Sequence, residues 1–182
     1  MMRKPVRRFW LWITVVAVAA GCSSRQPASY QPSYKGAKWI DKSELEVEDG
    51  DTFFLGGETI RVLGIDTPEI AHPDFGMPED QPYGQAATES TRVWIERGNV
   101  LEYVPDGRDK YGRRLAHVFI DGELLAVRLV NAGLAYETVS FYGDNGFPDL
   151  AQLILEASQT APKPEFEEPY KWKRKQRARR GS

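Results

Sequence analysis

The sequence predicts one small α+β domain whose short strands curl into a barrel of the OB-like kind. Runs rich in β-branched and aromatic residues, broken by glycine turns, predict the strands. Stretches with helical spacing follow and separate these runs, without the regular strand–helix alternation of a parallel sheet. With 182 residues, of which 41% are hydrophobic and 27% charged, the chain is long enough for one core. This composition excludes a disordered chain and a multi-span membrane protein.

The first 21 residues are predicted to be a targeting signal that takes no part in the fold. Four basic residues precede an apolar run of 12 residues at 9–20. A helix of that length spans about 18 Å, too short for a hydrocarbon core of about 30 Å. Small residues and then Cys22 follow, which resembles a bacterial lipoprotein signal in which Cys22 becomes the lipidated first residue. The alternative is an ordinary signal peptide with a chance cysteine. Both signals predict an extracytoplasmic protein. The ordinary signal predicts a secreted protein, and the lipoprotein signal predicts a protein of the cell envelope anchored to a membrane by its lipid.

Two segments of unusual composition flank the predicted domain at 39–160. Residues 22–38, rich in Ser, Pro, Gln and Tyr, predict a flexible tether. The tail at 161–182 is basic, with 7 positive charges among residues 171–180. By contrast, 22–162 carries 12 basic and 23 acidic residues, a net charge of −11. The tail therefore has three interpretations: a disordered terminus, a flexible arm that binds nucleic acid, or one that binds an anionic membrane.

Within 39–160, the apolar pattern assigns the elements in chain order. Short strands are predicted over 45–66, with turns at Asp49-Gly50 and Gly56-Gly57. A helix over 82–97 ends at Gly98, and strands follow at 100–104 and 114–120. One face of each helix is predicted from its spacing: Ala86, Ser90, Val93, Trp94 and Arg97 in the first; Leu125, Leu129 and Ala132 in the second; Leu150, Leu153, Ile154 and Ala157 in the third.

Cysteine and histidine are too scarce to suggest a soft-metal site. The single cysteine excludes an internal disulfide and a cysteine-based cluster. The two histidines lie far apart in the sequence, with no partner spaced to share a metal ion. We therefore expect His117 to pack within a strand and His72 to lie in a loop.

Three charged segments carry the chemistry of this chain: Asp-Gly-Asp-Thr from Asp49, the stretch from Arg61 to Glu69, and a turn before Arg113. Taken singly, the first and third are ordinary turns. Together they supply two carboxylates, Asp51 and Asp66, whose oxygens suit a hard cation such as Ca²⁺ or Mg²⁺. Arg61 and Arg113 offer planar donors that match phosphate, and Glu69 can orient or deprotonate a water. This combination indicates phosphodiester hydrolysis.

The order and spacing of several motifs give the chain a family resemblance. DGDT, RVLGIDTPE, PYGQAAT, DKYGRRLAHVF and LVNAGLAY occur in this order over about 45–142. In this the chain resembles the staphylococcal nuclease (thermonuclease) family. The resemblance implies a five-stranded OB-like barrel with about three helices. It also implies Ca²⁺-dependent hydrolysis of DNA and/or RNA, by a chain we expect to be a monomer.

The resemblance also implies a role for each matched residue. Asp51, Asp66 and the backbone carbonyl of Thr67 correspond to calcium ligands. Arg61 and Arg113 correspond to groups that bind the scissile phosphate, and Glu69 to a general base or water-orienting group. Lys110 and Tyr111 lie where the family contacts the bound nucleotide. The segment after AGLAY departs from the family pattern, and Phe141 or Tyr142 is the candidate there for stacking on a base.

A catalytically silent OB-like module that binds nucleic acid or protein is the alternative to an enzyme. Such a module would keep the barrel and lose charged residues of the site. Arg61, Asp66, Glu69 and Arg113 are all present, which favours the enzyme.

Overall fold

The computed structural model describes residues 26 and 29–180, apart from the side chains of Phe75 and Arg180. The predicted signal and Cys22 lie outside the described residues. The strands are β1 (Lys38–Trp39), β2 (Leu45–Val47), β3 (Thr52–Leu55), β4 (Glu58–Val62), β5 (Ile65–Asp66), β6 (Leu101–Arg108), β7 (Arg114–Ile120), β8 (Glu123–Leu124) and β9 (Tyr136–Glu137). The helices are α1 (Gly84–Arg97), α2 (Leu125–Asn131), α3 (Val139–Tyr142), α4 (Pro148–Thr160) and α5 (Pro169–Arg180).

Seven of the strands form one mixed sheet in the order β1-β6-β7-β4-β3-β2, with β8 paired to β7. The β4–β7 pairing is parallel and the other pairings are antiparallel. A separate pair, β5 with β9, is also antiparallel. This curled sheet with helices around it confirms the predicted α+β, OB-like class. The described residues hold five α-helices, where about three were expected, because a short helix α3 and the tail helix α5 add to them.

The core lies between the concave face of the sheet and helices α1, α2 and α4. Its fully buried members include Phe53 and Ile60 from the sheet and Leu125, Leu129 and Ile154 from the helices. Burying side chains of this size stabilises the fold by about 1.5–3 kcal/mol each. Among the described residues, no helix is long and apolar enough to cross a bilayer.

Helix α1 is where predicted, but its buried face is not. The predicted side carries exposed or half-buried residues, whereas the helix buries Gly84, Ala87, Thr88, Thr91 and Ile95. The reason is close packing against the loop before β3, where small side chains fit. The Thr91 hydroxyl donates to the Gly50 carbonyl at 2.8 Å, which satisfies its buried oxygen.

The later helices follow the prediction with two exceptions. In α2, Leu125 and Leu129 are buried, but Ala132 is exposed because it caps the helix end. In α4, Leu153 is exposed and the neighbouring Ala151 is buried instead.

Part of the segment predicted as a tether contacts the domain. Lys38–Trp39 pairs with β6, and the Tyr34 ring stacks on Phe119 with centroids 5.8 Å apart. The Ser33 N–H and the Tyr30 hydroxyl both donate to the carboxylate of Glu102, which is itself buried. These bonds satisfy a buried acid on β6, and Lys38–Trp39 adds an edge strand to the sheet.

Candidate active site

The β3–β4–β5 region brings the first group of site residues together. Arg61 on β4 is the cross-strand partner of Thr52 on β3, which places Asp51 beside it. The Val62 N–H donates to the Asp51 carbonyl at 2.8 Å and extends the pairing to this residue. Gly64, with a φ of +82°, makes the tight turn that leads into β5 and brings Asp66 back toward Arg61.

One guanidinium joins the two carboxylates predicted to share a cation. Arg61 Nη1 forms an ion pair with Asp51 Oδ1, and Arg61 Nη2 donates to Asp66 Oδ1 at 2.8 Å. Nη2 also donates to the Ile65 carbonyl at 3.1 Å. The side chains of Arg61, Asp51 and Asp66 are only 14%, 5% and 16% exposed. The structure thus brings these predicted residues together in a shielded site, where charge–charge interactions are strong.

Thr67 is buried directly behind Asp51. Its N–H donates to Asp51 Oδ2 at 2.7 Å, while the Thr52 hydroxyl donates to Asp51 Oδ1 at 3.1 Å. A Cβ on Gly50 would come within 2.8 Å of the Thr67 hydroxyl, so glycine is needed for this close approach. Within the described part of the chain, no group of three or more His, Cys, Asp or Glu side chains is arranged to hold a metal ion. Asp51 and Asp66 are two carboxylates that converge on one positive group, the guanidinium of Arg61.

Glu69 follows on the loop after β5 and is held by its backbone. Its carbonyl accepts from the Gln81 N–H at 2.9 Å, and its N–H donates to the Gln81 side chain at 3.3 Å. A Cβ on Gly84, at the start of α1, would lie 2.3 Å from this carbonyl, so the loop and the helix are in contact. The Glu69 side chain is 13% exposed. Burial raises the pKa of Glu69, and the ammonium of Lys173 acts in the opposite direction.

Arg113 lies at the turn between β6 and β7, which Asp109 organises. Asp109 Oδ1 accepts from the N–H groups of Tyr111 and Arg113 at 2.9 and 3.0 Å. Asp109 Oδ2 accepts from Arg113 Nε at 2.8 Å. These bonds use Nε of Arg113 and not its two terminal nitrogens, on a side chain that is one third exposed. Burial and the neighbouring Asp49 raise the pKa of Glu48, and the charges of His72 and Arg113 oppose this. The ion pair of Arg113 is with Asp109 and not with the carboxylates around Arg61.

Tyr111 is the exposed aromatic residue of this turn. Its ring lies under the Lys110 ammonium, 5.0 Å from the centroid, and 5.8 Å from the Arg113 guanidinium. Lys110, and to a smaller extent Arg177, lower the pKa of the Tyr111 hydroxyl. An exposed ring among cations can contact both a base and a phosphate. Phe141 and Tyr142 on α3 are also exposed, with their ring centroids 4.7 Å apart.

Sequence reasoning missed two residues of this site. Asp49 is buried below Asp51, whose N–H donates to its Oδ1 at 3.0 Å; burial raises the pKa of Asp49 and Arg61 opposes this. Asp49 is the first residue of the DGDT motif, so the motif could have indicated that Asp49 belongs to the site. Lys173 comes from the basic tail, and its Nζ lies 2.8 Å from Glu69 Oε1. Nothing in the tail distinguishes Lys173 from the neighbouring basic residues.

The two histidines behave as predicted: His117 is buried against Phe147, and His72 lies in the loop near Glu48.

Comparisons with known proteins agree with this geometry. The family described as "Staphylococcal nuclease homologue" matches residues 59–165. The chain is 37% identical over 118 residues to the thermonuclease of Staphylococcus intermedius, covering 62% of this chain and 66% of that protein. It is 40% identical over 118 residues to the endonuclease YncB of Bacillus subtilis (strain 168), covering 62% of this chain and 54% of that protein. The chain therefore spans about two thirds or less of the curated relatives it matches.

Proposed function

Because this chain belongs to the staphylococcal nuclease family, we propose that it is a nuclease that hydrolyses phosphodiester bonds in DNA and/or RNA with the help of Ca²⁺. One observation carries the proposal: the guanidinium of Arg61, only 14% exposed, lies between Asp51 and Asp66. Glu69 is linked to Asp66 through the ammonium of Lys173. Burying four charged groups together is costly. A module that only binds a partner gains nothing from that cost, whereas phosphodiester chemistry needs such charges away from water.

Asp51 and Asp66 are the residues that would hold the Ca²⁺ ion, together with the Thr67 carbonyl. Their fit to a hard cation rests on the convergence of both carboxylates on a single positive group. Carboxylate and carbonyl oxygens are the donors that Ca²⁺ prefers, and an incomplete protein set leaves positions for water and substrate. Bound there, the ion would polarise a phosphate oxygen and favour a nucleophilic water.

The remaining groups divide the chemistry among them. Arg61 and Arg113 present planar N–H donors to the scissile phosphate and stabilise the charge that develops on its oxygens. Glu69 accepts a proton from the attacking water or orients it, and its buried position makes it a stronger base than an exposed carboxylate. Lys110 and the Tyr111 ring contact the neighbouring nucleotide.

The test is a digest of single- and double-stranded DNA and RNA by residues 23–182, with added Ca²⁺ and with a chelator. We expect cleavage that the chelator abolishes and Ca²⁺ restores. The Glu69→Gln variant is the control, since it should lose turnover but retain calcium binding. If Zn²⁺ restored full activity and Ca²⁺ did not, the assignment of Asp51 and Asp66 would be wrong. No cleavage of any substrate by the wild type would favour the silent module.

A lipid anchor at Cys22 is a separate part of the proposal. It is supported by the basic, apolar and small-residue order of the first 22 residues. An anchored nuclease of the cell envelope would act on nucleic acid outside the cytoplasm.

A further inference from the structure

The basic tail contributes a side chain to the site. We infer that Lys173, on α5, is a positioning residue that holds the carboxylate of Glu69. This inference rests on the proposed nuclease function, since it concerns the group that would handle the attacking water. Lys173 Nζ lies 2.8 Å from Glu69 Oε1 and 3.5 Å from Asp66 Oδ1. Glu69, the predicted base, is therefore the nearer partner of Lys173, and Asp66, a predicted calcium ligand, is the more distant one.

Helix α5 is anchored to the domain through the segment that precedes it. Phe166 is buried between Tyr83 and Tyr136, with ring centroids 5.6 and 5.4 Å away. The Tyr136 hydroxyl donates to the Phe166 carbonyl at 2.7 Å, and the buried Gln81 side chain donates to the carbonyl of Glu167. Gln81 is the residue that also clamps the Glu69 backbone. The tail and the Glu69 loop thus share one anchor.

One face of α5 packs inward, and Lys173 belongs to it. Pro169 and Gln176 are buried, and Trp172 and Lys173 are half-buried, which is the i, i+3, i+4, i+7 pattern of a helix face. The Gln176 side chain donates to Glu79 at 3.3 Å. The Trp172 indole nitrogen is buried without a hydrogen-bond partner among the described residues. Because Pro169 and Gln176 are buried on the same face, the helix keeps one orientation against the domain. That orientation directs the Lys173 side chain toward Glu69.

The charge of Lys173 balances the site for an anionic substrate. The site holds one guanidinium, that of Arg61, against four carboxyl groups, those of Asp49, Asp51, Asp66 and Glu69. A phosphodiester approaching Glu69 would meet strong repulsion in a shielded environment. The Lys173 ammonium adds a second positive charge in direct contact with Glu69. It therefore fixes the direction of the carboxylate and reduces the repulsion between that carboxylate and the phosphate.

Three variants test this inference in the full chain. Lys173→Ala should lower kcat about tenfold or more and raise KM by a smaller factor, because the base is misplaced and the lost ammonium no longer offsets the repulsion of the phosphate. Lys173→Arg should restore most of kcat, since it keeps a cation at the same place. Lys175→Ala is the matched control: Lys175 lies on the same helix, is mostly exposed and pairs with Glu167, so its loss should leave kcat unchanged.

Three kinetic results would overturn the inference. If Lys173→Ala were as active as the wild type or more active, α5 would cover the site rather than assist it. If Lys173→Arg were as impaired as Lys173→Ala, the side chain would matter for packing and not for its charge. If Lys175→Ala lost as much as Lys173→Ala, the effect would belong to the charge of the helix as a whole.

A measurement without substrate separates this inference from the proposed function. The melting temperatures of Lys173→Ala, Glu69→Gln and the double variant, measured with a chelator present, form a double-mutant cycle. Contact between the two groups predicts a double variant whose Tm shift is clearly smaller than the sum of the single shifts. Additive shifts would overturn the contact. If the wild type cleaved no nucleic acid, the proposed function would fail, whereas the cycle would still decide whether Lys173 holds Glu69.

Discussion

Replacing Arg61 tests whether the site is held together by one buried cation. Arg61→Gln removes the guanidinium that joins Asp51 and Asp66, which are 5% and 16% exposed. Breaking a buried pair by removing one partner costs about 3–5 kcal/mol, because the remaining charge is left uncompensated. The variant also loses the hydrogen bond from Arg61 to the Ile65 carbonyl, at 3.1 Å. This bond is worth about 1 kcal/mol, which is included in that cost. We therefore expect the free energy of unfolding to fall by about 3–5 kcal/mol at pH 7.

Urea unfolding in the presence of a chelator measures this loss, with no divalent ion to replace the missing cation. Arg92→Gln is the matched control, since Arg92 forms an exposed pair with Glu89 one turn away and should cost less than about 1 kcal/mol. Adding Asp51→Asn to Arg61→Gln should recover part of the lost stability, because it removes the more buried of the two carboxylates that lose their partner.

Two results would refute this reasoning. One is a cost for Arg61→Gln no larger than that for Arg92→Gln, which would mean that water reaches the two aspartates easily. The other is an additive double variant, which would mean that Arg61 and Asp51 contribute independently. The catalytic role is measured on the same protein: turnover by Arg61→Lys should fall on the order of 10²-fold, because an ammonium cannot replace the planar fork.

Three further predictions concern other parts of the chain. Arg113→Lys should lower the initial rate of DNA cleavage on the order of 10²-fold, and near-normal rates would make Arg113 a surface group. Burial lowers the pKa of His117 from 6.5 to about 4, so only the unfolded chain binds a proton as the pH falls from 6.5 toward 4. In urea unfolding, the wild type should lose about 2 kcal/mol relative to His117→Leu between about pH 7 and pH 5; parallel curves would contradict the burial of a neutral imidazole. Cys22→Ser should move the protein from membrane to soluble fractions. If labelled fatty acid entered the variant as it does the wild type, lipidation at Cys22 would be refuted.

The central charged residues were predictable because local structure brings them together. Asp51, Arg61 and Asp66 lie within 16 residues of one another on consecutive strands joined by tight turns. Hairpin pairing of β3 with β4 places Asp51 beside Arg61, and the tight turn at Gly64 brings Asp66 back toward them. The strand that carries Asp66 then pairs with β9, about 70 residues later, so the long-range fold also holds this residue. The turn that carries Lys110, Tyr111 and Arg113 is local in the same sense, since Asp109 organises it by itself.

The buried face of α1 was not predictable from the size of its side chains. Spacing favoured the side with Val93 and Trp94, yet the helix buries Ala87 and Thr91 because the backbone at Gly50 approaches closely there. Which face of a helix meets a neighbouring backbone depends on the distance between two elements. A residue pattern within one element does not contain that distance.

The sequence by itself determined the α+β class, the family and the charged residues of the β3–β5 region and the β6–β7 turn, because those depend on periodicity, turns and short separations. Only the tertiary structure decided the role of the two ends of the domain. Lys38–Trp39 adds an edge strand beside β6, and Tyr30 and Ser33 bind the side chain of Glu102, about 70 positions away. In α5, 7 of 12 residues are basic, so like charges oppose the isolated helix. The pair of Lys173 with Glu69 stabilises it, and so do the bonds that Gln81 and Tyr136 make to the segment just before it. Such contacts join positions about 30 to 100 residues apart, and their formation depends on the fold around them.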